Sequence, residues 1–255
     1  MATALIGHTG FVGGNLQAQR HFDDCYNSKN IDDISGKHYE VVVCAGVPAA
    51  KWIANREPIK DRENIERLTS NLANVSADKF ILISTVDIYP VPVGVDEDSP
   101  IDIDICQPYG KHRLQLEHFV ANRFDALIVR LPGLFGHGLK KNVIYDFLHE
   151  NNIGQINPRS VFQFYSLKHL THDINIGLKN NLKVLNIASE PTSVGEVAWI
   201  CLGHEFVNDI DTPAARYDYR SRYARLFGGH NGYLYSKEQV LSDLWGFVVN
   251  ERSVS

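Results

Sequence analysis

Short apolar runs alternate with stretches of helical period along the first half of the chain. Ala4-Leu5-Ile6 fits a buried strand, and the helix after it, ending near His21, offers Phe11, Leu16 and Ala18 for packing. A short second strand is expected within Asp24 to Asn27. Val41 to Ala45 makes a third, closed by Gly46. After an irregular piece with Pro48 and Pro58, a helix is expected from about Ile59 to Val75. Phe80 to Ile83 is a fourth strand running into Ser84-Thr85. A proline-rich loop, Pro90 to Pro100, carries Asp96, Glu97 and Asp98. A helix then begins near Tyr109 and runs to about Asn122, and Ala126 to Leu131 is a fifth strand, closed by Pro132-Gly133. Alternating strands and helices predict an α/β fold: a doubly wound parallel sheet covered on both faces. Beyond Gly138 the pattern is less regular. It suggests a helix over Ile144 to Glu150, strands over Val161 to Tyr165 and Leu182 to Ile187, and a helix over Val194 to Leu202. A last helix, Tyr235 to Val249, puts Val240, Leu241, Leu244 and Phe247 on one face. Tyr217 to Tyr235 is rich in Arg, Tyr and Gly and has no period.

Composition narrows the function classes. A chain of 255 residues, 44% of them apolar, buries a sizeable core, and a net charge of −5 gives no reason to expect nucleic acid or an anionic membrane as partner. No apolar run is long enough to span a bilayer. The chain enters its first strand at once, leaving no room for a signal peptide, so a cytoplasmic location is expected. Cys25, Cys44, Cys106 and Cys201 lack CxxC spacing and read as reduced thiols, and the eleven histidines form no HExxH pair, so no metal site is expected.

Chemistry concentrates at strand ends. Gly7, Gly10 and Gly13 follow the first strand and open the first helix. A strand, a glycine turn and a helix N-terminus make a phosphate site, because bare backbone admits a pyrophosphate to N–H groups and the helix dipole favours an anion. The candidate contacts in this turn are Gly7, Thr9, Gly10, Phe11, Val12 and Gly13. Ser84 and Thr85 end the fourth strand, where side chains meet ligands in open parallel sheets. Tyr109 and Arg113 are four apart on the following helix and face the same way. A tyrosine beside a fixed cation has its phenol pKa lowered and exchanges protons more readily. Spacing alone favours the plainer alternative, a packed surface pair with Thr85 as a turn residue.

From residue 2 to about 200 the sequence resembles the extended short-chain dehydrogenases/reductases that act on nucleotide sugars, the NAD-dependent epimerase/dehydratase type. Gly7, Gly10 and Gly13 match its GxxGxxG. Ser84-Thr85-Val86-Asp87-Ile88-Tyr89-Pro90 is similar to its strand-four signature, and Tyr109 to Glu117 to its YGxSKxxxE helix. Asn64 matches the asparagine of its NVxGTxNLL helix. Arg130 to Gly136 resembles the segment passing the nicotinamide, and Asn186-Ile187-Ala188 with Ser193 and Glu196 resembles its return to the sheet. The resemblance implies a Rossmann-type domain over 1–137, rejoined by about 160–203, and a small substrate lobe made of 138–159 and 204–255. It implies a nicotinamide cofactor held by the glycine turn and by Asn27, Ser28, Lys29, Ala45, Gly46, Ser84, Tyr109, Arg113, Pro132 and Leu134. Asn27-Ser28-Lys29 at the second strand's end, with Asp23 and Asp24 too early, favours NADP slightly over NAD.

The resemblance also assigns the chemistry. Tyr109 exchanges the proton, Thr85 orients the oxygen, Arg113 supplies positive charge and Asp87 acts as a base or binds a sugar hydroxyl. Substrate contacts are expected at Asp87, Tyr89, Lys140, Lys141 and Asn142, with Arg216, Arg220, Arg222 and Arg225 as further anion ligands. Two departures matter. The family's lysine, which lowers the tyrosine pKa and bonds the cofactor ribose, is Arg113 here, and arginine cannot relay protons. Lys111 points away from Tyr109, while His112 is nearer in angle and is either a proton carrier or a solvated side chain. The dehydratase acid pair falls on Val86 and Asp87 and is incomplete; Asp87 reads equally as a turn cap. The expected function is therefore an NAD(P)-dependent reductase or epimerase acting on a nucleotide sugar or related carbonyl compound, with a homodimer as the assembly considered. The alternative is a catalytically silent NAD(P)-binding regulatory or assembly protein.

Overall fold

The computed structural model describes residues 2–254. In chain order the elements are β1 (Thr3–Ile6), α1 (Phe11–Gln19), β2 (Asp24–Tyr26), β3 (His38–Cys44), α2 (Lys51–Arg56), α3 (Pro58–Leu72), β4 (Ser76–Thr85), α4 (Pro108–Arg123), β5 (Ala126–Leu131), β6 (Gly133–Phe135), α5 (Val143–Leu148), β7 (Val161–Phe162), β8 (Phe164–Ser166), α6 (Leu170–Lys179), β9 (Val184–Asn186), β10 (Thr192–Ser193), α7 (Val194–Leu202) and α8 (Lys237–Val254). They form two compact units, one of Met1–Pro90, Asp98–Leu131 and Leu170–Asn186, the other of Val91–Glu97, Pro132–His169 and Ile187–Ser255. These cuts differ from those drawn on the sequence. The first unit takes back only α6 and β9 of the later chain, and the second claims the strap at 91–97 and the segment from Pro132.

The first unit is a six-stranded parallel sheet in the order β2-β1-β3-β4-β5-β9. This is the Rossmann-like doubly wound α/β architecture. Strand order reverses between β1 and β3, so the crevice outside their carboxyl ends is where such sheets bind ligands. Leu5, Val42, Phe80, Ile81 and Val129 have no or almost no exposed surface, as continuous apolar strands covered on both faces require. Helix α3 presents Asp61, Ile65, Leu68 and Leu72 inward at helical spacing.

Two elements differ from expectation for physical reasons. The piece after Gly46 contains α2, too short to show a period between its flanking prolines. β4 starts at Ser76, because the stretch from Ser76 to Lys79 pairs with β3 through its backbone although only Ala77 in it is apolar. Ala18 is exposed rather than packed; Leu16 alone of the three proposed packing residues of α1 is fully buried.

The second unit has its own core, in which Phe135, Ile144 and Phe147 meet Val197 and Cys201 of α7 and Val240, Leu244 and Val248 of α8. Helix α7 opens on a capping box. The Ser193 hydroxyl accepts the Glu196 amide (3.1 Å), and a Glu196 carboxylate oxygen accepts the Ser193 amide (2.8 Å). The run expected as one strand is two: β7 pairs with β10 and β8 with β6. The aperiodic region around 217–235 is held by individual polar contacts. The buried Gln163 amide donates to the carbonyls of Ser189 (2.5 Å) and Tyr219 (2.9 Å), and its oxygen accepts the Tyr219 amide (2.9 Å). Such a region has no hydrophobic period to read. No helix among the described residues is long and apolar enough to cross a membrane.

Candidate active site

The first unit carries both the glycine turn and the expected catalytic side chains. At the end of β1, Gly7 has φ +87°, and a Cβ there would lie 2.4 Å from the Ala45 carbonyl oxygen. At Gly13 a Cβ would lie 2.1 Å from the Gly7 carbonyl oxygen. Both are fixed by the chain's own packing. Gly10 is not: an added Cβ would meet only the Gly7 oxygen, at 3.2 Å. Its bareness serves the exposed side of the turn, where Thr9 is also exposed. No side chain caps α1, whose first-turn amides at Phe11, Val12 and Gly13 point out of the helix end. The turn therefore fits a pyrophosphate by the chemistry of its donors.

The end of β2 lies against this turn. The Gly7 amide donates to the Tyr26 carbonyl (2.7 Å), and the Asn27 side chain meets His8 Nε2 at 3.2 Å. Ser28 and Lys29 are exposed just beyond. Asp23 and Asp24 are engaged elsewhere, Asp23 by the Thr3 amide and hydroxyl and Asp24 by Tyr39, Lys37 and Tyr26. Ala45 and Gly46 follow β3 on the other side of the turn.

Thr85, Asp87 and Tyr109 meet at the end of β4. The Thr85 hydroxyl accepts the Asp87 amide (3.1 Å), opening a 3₁₀ turn at Val86–Ile88. Helix α4 presses on that turn so closely that a Cβ at Gly110 would lie 2.2 Å from the Asp87 carbonyl oxygen. The glycine after the tyrosine is thus what seats Tyr109 beside Thr85. The Tyr109 ring is buried, its amide donates to Asn55 Oδ1 (2.9 Å), and the Thr85 hydroxyl hydrogen-bonds its phenol.

Burial pushes the Tyr109 phenol above its ordinary pKa. Arg113, Thr85 and Lys51 pull it down, Asp87 pushes it up, and burial prevails. This corrects the expectation of a lowered phenol pKa. Tyr109 is a neutral phenol at neutral pH, fit to give a proton.

Arg113 lies beside Tyr109, its guanidinium carbon 3.8 Å from the ring centroid, but it faces α3. It donates to Asp61 through both terminal nitrogens (2.6 and 2.9 Å), to the Tyr109 carbonyl (3.1 Å) and to the Pro48 carbonyl (2.6 Å). With these four bonds made and 4% of its surface exposed, it does not reach out as a cofactor or catalytic donor. It is corrected to a buried structural cation that acts on Tyr109 through its field. His112 joins the cluster at 2.7 Å from Asp61 and is buried rather than solvated. Burial pushes the Asp61 carboxyl up, but Arg113 and His112 outweigh it and hold it below the ordinary carboxylate value.

Three more assignments change. Ser84 is engaged within the first unit, its hydroxyl donating to Glu117 at 2.5 Å; Glu117 in turn binds Arg130 (2.7 Å). Tyr89 is buried, its hydroxyl accepting from Arg130 (2.8 Å) and Asn186 (3.0 Å), so it is no substrate contact. Asn142 caps α5, accepting the amides of Ile144 (3.0 Å) and Tyr145 (3.2 Å) while donating to the Leu134 carbonyl (2.7 Å). In the second unit Lys140 and Lys141 are exposed, and Pro132 and Leu134 are half-buried. Asn64 is exposed on α3; the polar residue of that helix that meets α4 is Asp61.

Two important residues were not singled out from the sequence. Asp61 had a signal, since it sits in phase with Ile65, Leu68 and Leu72 on an apolar stripe. Lys51, on the unforeseen α2, binds Asp87 Oδ1 at 2.8 Å.

No protein-family model matches the chain, and no curated protein does. Solved structures do. RMD from Pseudomonas aeruginosa, complexed with NADPH, superposes with a TM-score of 0.76 at 16% identity, each chain covered in full. A dTDP-4-dehydrorhamnose reductase from Clostridium acetobutylicum gives 0.74 at 15% identity, with 99% of this chain and 100% of that one covered. UDP-glucose 4-epimerase from Thermotoga maritima, with UDP-glucose, gives 0.70 at 17% identity over 100% of this chain and 99% of the other. The chain shares the fold of these solved structures. That fold spans the whole sequence, including the region beyond residue 200 where the sequence resemblance stops.

Proposed function

We propose that the chain is an NAD(P)-dependent reductase of the short-chain type, acting on the carbonyl group of a nucleotide-linked sugar or a related compound. The observation that carries this reading is the buried Tyr109 phenol, hydrogen-bonded by the Thr85 hydroxyl at the end of β4 in the same unit as an uncapped glycine turn. Similar folds bound to NADPH, or to UDP-glucose, support the class of cofactor and substrate. The cofactor's pyrophosphate would be held by the amides of Phe11, Val12 and Gly13 above Gly10. Asn27, Ser28 and Lys29, with no carboxylate among them, favour the 2′-phosphate of NADP. When bound, the cofactor supplies the hydride. Tyr109 donates the proton to the oxygen that becomes an alcohol, and Thr85 orients that oxygen. A raised phenol pKa suits this direction better than proton abstraction, which places reduction ahead of epimerisation. Asp87 is bound to Lys51 and orients that lysine. Lys140 and Lys141 of the second unit are the proposed contacts for the substrate's phosphates.

A silent NAD(P)-binding protein is the second reading. It draws support from Arg113, whose two terminal nitrogens are occupied by four hydrogen bonds. The deciding experiment is NADPH and NADH oxidation over a panel of keto-sugar nucleotides, wild type against Tyr109→Phe. Turnover that Tyr109→Phe abolishes supports the enzyme. Tight cofactor binding without Tyr109-dependent turnover anywhere on the panel supports the silent reading.

A further inference from the structure

Helix α2 enters the Tyr109 environment from a direction that the YxxxK-like spacing does not anticipate. Its first residue, Lys51, reaches across to Asp87, Nζ to Oδ1 2.8 Å. Asp87 is two residues past Thr85 and is pressed by α4 through Gly110, so it is held at the phenol's side. The helix is fixed to α4 from its other end as well, where Asn55 accepts the Tyr109 amide (2.9 Å). Lys51 and Asn55, four apart on α2, thus tie one face of that helix to Asp87 and to the Tyr109 amide.

The two cations near the phenol differ in kind. Arg113 is buried against Asp61, and its charge is largely neutralised by a carboxylate held in two hydrogen bonds. Lys51 has 45% of its side chain exposed and meets a carboxylate that is itself 19% exposed. An ammonium on a flexible stem in partial contact with solvent responds to a charge forming beside it; a locked guanidinium does not.

We propose that Lys51, oriented by Asp87, is the positioning residue that stabilises the Tyr109 oxygen as it loses its proton. This rests on Tyr109 being the proton donor of the proposed function. The charged groups around Tyr109 are Arg113 on its own helix, Lys51 on α2 and Asp87 on the 3₁₀ turn; Asp61 and His112 lie behind Arg113. Lys51 favours the phenolate, as Arg113 does more strongly, and Asp87 opposes it, so Lys51 offsets part of the effect of the carboxylate that holds it.

The test reads Tyr109 without any substrate. Difluorotyrosine is incorporated throughout the full chain, which brings phenol titration into a range where the fold is intact. Fluorine NMR is followed against pH, with Tyr109→Phe identifying the resonance. Lys51→Met is expected to move the Tyr109 titration to higher pH, and Lys51→Arg to return it towards wild type. A merely structural Lys51 would move neither. An unchanged titration in Lys51→Met, or an Arg variant that behaves like Met, overturns the proposal. Lys51→Gln, which keeps a polar end against Asp87, covers a Met variant that folds poorly and must give the same upward shift. Because this readout needs no turnover, a negative result here leaves the Tyr109→Phe turnover test standing on its own.

Discussion

Removing the carboxylate of Asp61 is the sharpest perturbation of the first unit. Asp61 is 5% exposed and Arg113 4%, and two bonds of 2.6 and 2.9 Å join them, with a third from His112 at 2.7 Å. Arginine cannot shed its proton, because its pKa stays above about 12. Without Asp61 its charge is left buried with only the carbonyls of Pro48 and Tyr109. Breaking one side of such a pair costs about 3–5 kcal/mol. Asp61→Asn, which still accepts one hydrogen bond, belongs at the lower end of that range, and Asp61→Ala at the upper. Arg113→Lys is not a return to a working family site. A single ammonium cannot serve two carboxylate oxygens and two carbonyls, so it is expected to cost about 1–3 kcal/mol through unmet acceptors. The assay is urea unfolding, combined with amide hydrogen exchange in α3 and α4 to place the loss in the first unit. The double variant Asp61→Leu with Arg113→Met removes both charges and is expected to recover most of the stability lost by Asp61→Leu alone. An Asp61→Asn cost below about 1 kcal/mol, or single-variant costs that add within about 0.5 kcal/mol, would refute the reasoning.

The same pair sets an acid limb. Because the folded Asp61 pKa lies below its unfolded value, the contribution is complete above the unfolded pKa of about 4 and is lost as pH falls through the folded one. Asp61→Asn should flatten the stability profile in that window, which acid titration of unfolding measures. Gly10→Val is expected to abolish nicotinamide cofactor binding in calorimetry while leaving circular dichroism unchanged; Gly13→Val, whose side chain would enter the Gly7 carbonyl, is expected to unfold the turn. NADP is expected to bind more tightly than NAD, with the gap narrowing as salt rises, and Lys29→Glu to reverse the order; equal affinities at low salt would sink the assignment of Asn27 to Lys29. Glu117→Gln leaves the buried Arg130 with a weaker partner and is expected to destabilise by about 3–5 kcal/mol in the same urea assay.

What was legible in the sequence follows from how each feature is encoded. β1, β5, α4 and α7 came close to their true limits because continuous apolar runs and a proline at a helix start are local signals. The glycine turn was legible because its glycines answer steric demands between near neighbours. Tyr109 and Thr85 were placed together by motif, and Gly110 supplies the physical reason. The direction of side chains was not legible. Ser84 and Thr85 are adjacent, so they project to opposite faces of β4, Ser84 towards Glu117 and Thr85 towards Asp87 and Tyr109. Tyr89 and Asn142 carry the right chemistry for binding, yet both are consumed by partners far along the chain or by a helix cap. Arg113 was legible as a cation near Tyr109 but not as a partner of Asp61, because a contact across 52 positions has no local trace.

Under the proposed function, an arginine rather than a lysine at position 113 bears on direction rather than on presence or absence of chemistry. A lysine with its ammonium open to a ligand adds positive field and a donor at the phenol. The arginine, clamped by Asp61, leaves a weaker field, and burial then decides in favour of the neutral phenol. A neutral phenol has its proton available when an alkoxide develops, and must lose it first if it is to act as a base. Under the proposed function, the same geometry assists reduction of a carbonyl and hinders oxidation of an alcohol. Epimerisation through a keto intermediate needs both steps in turn, so it would be limited by the oxidative one. The measured ratio of carbonyl reduction to alcohol oxidation should consequently shift towards oxidation as pH rises to the phenol's pKa, and Tyr109→Phe should remove that pH dependence along with the activity. A ratio that tracks only the proton stoichiometry of the overall reaction, with no added inflection from Tyr109, would mean that the phenol is not the group that moves the proton.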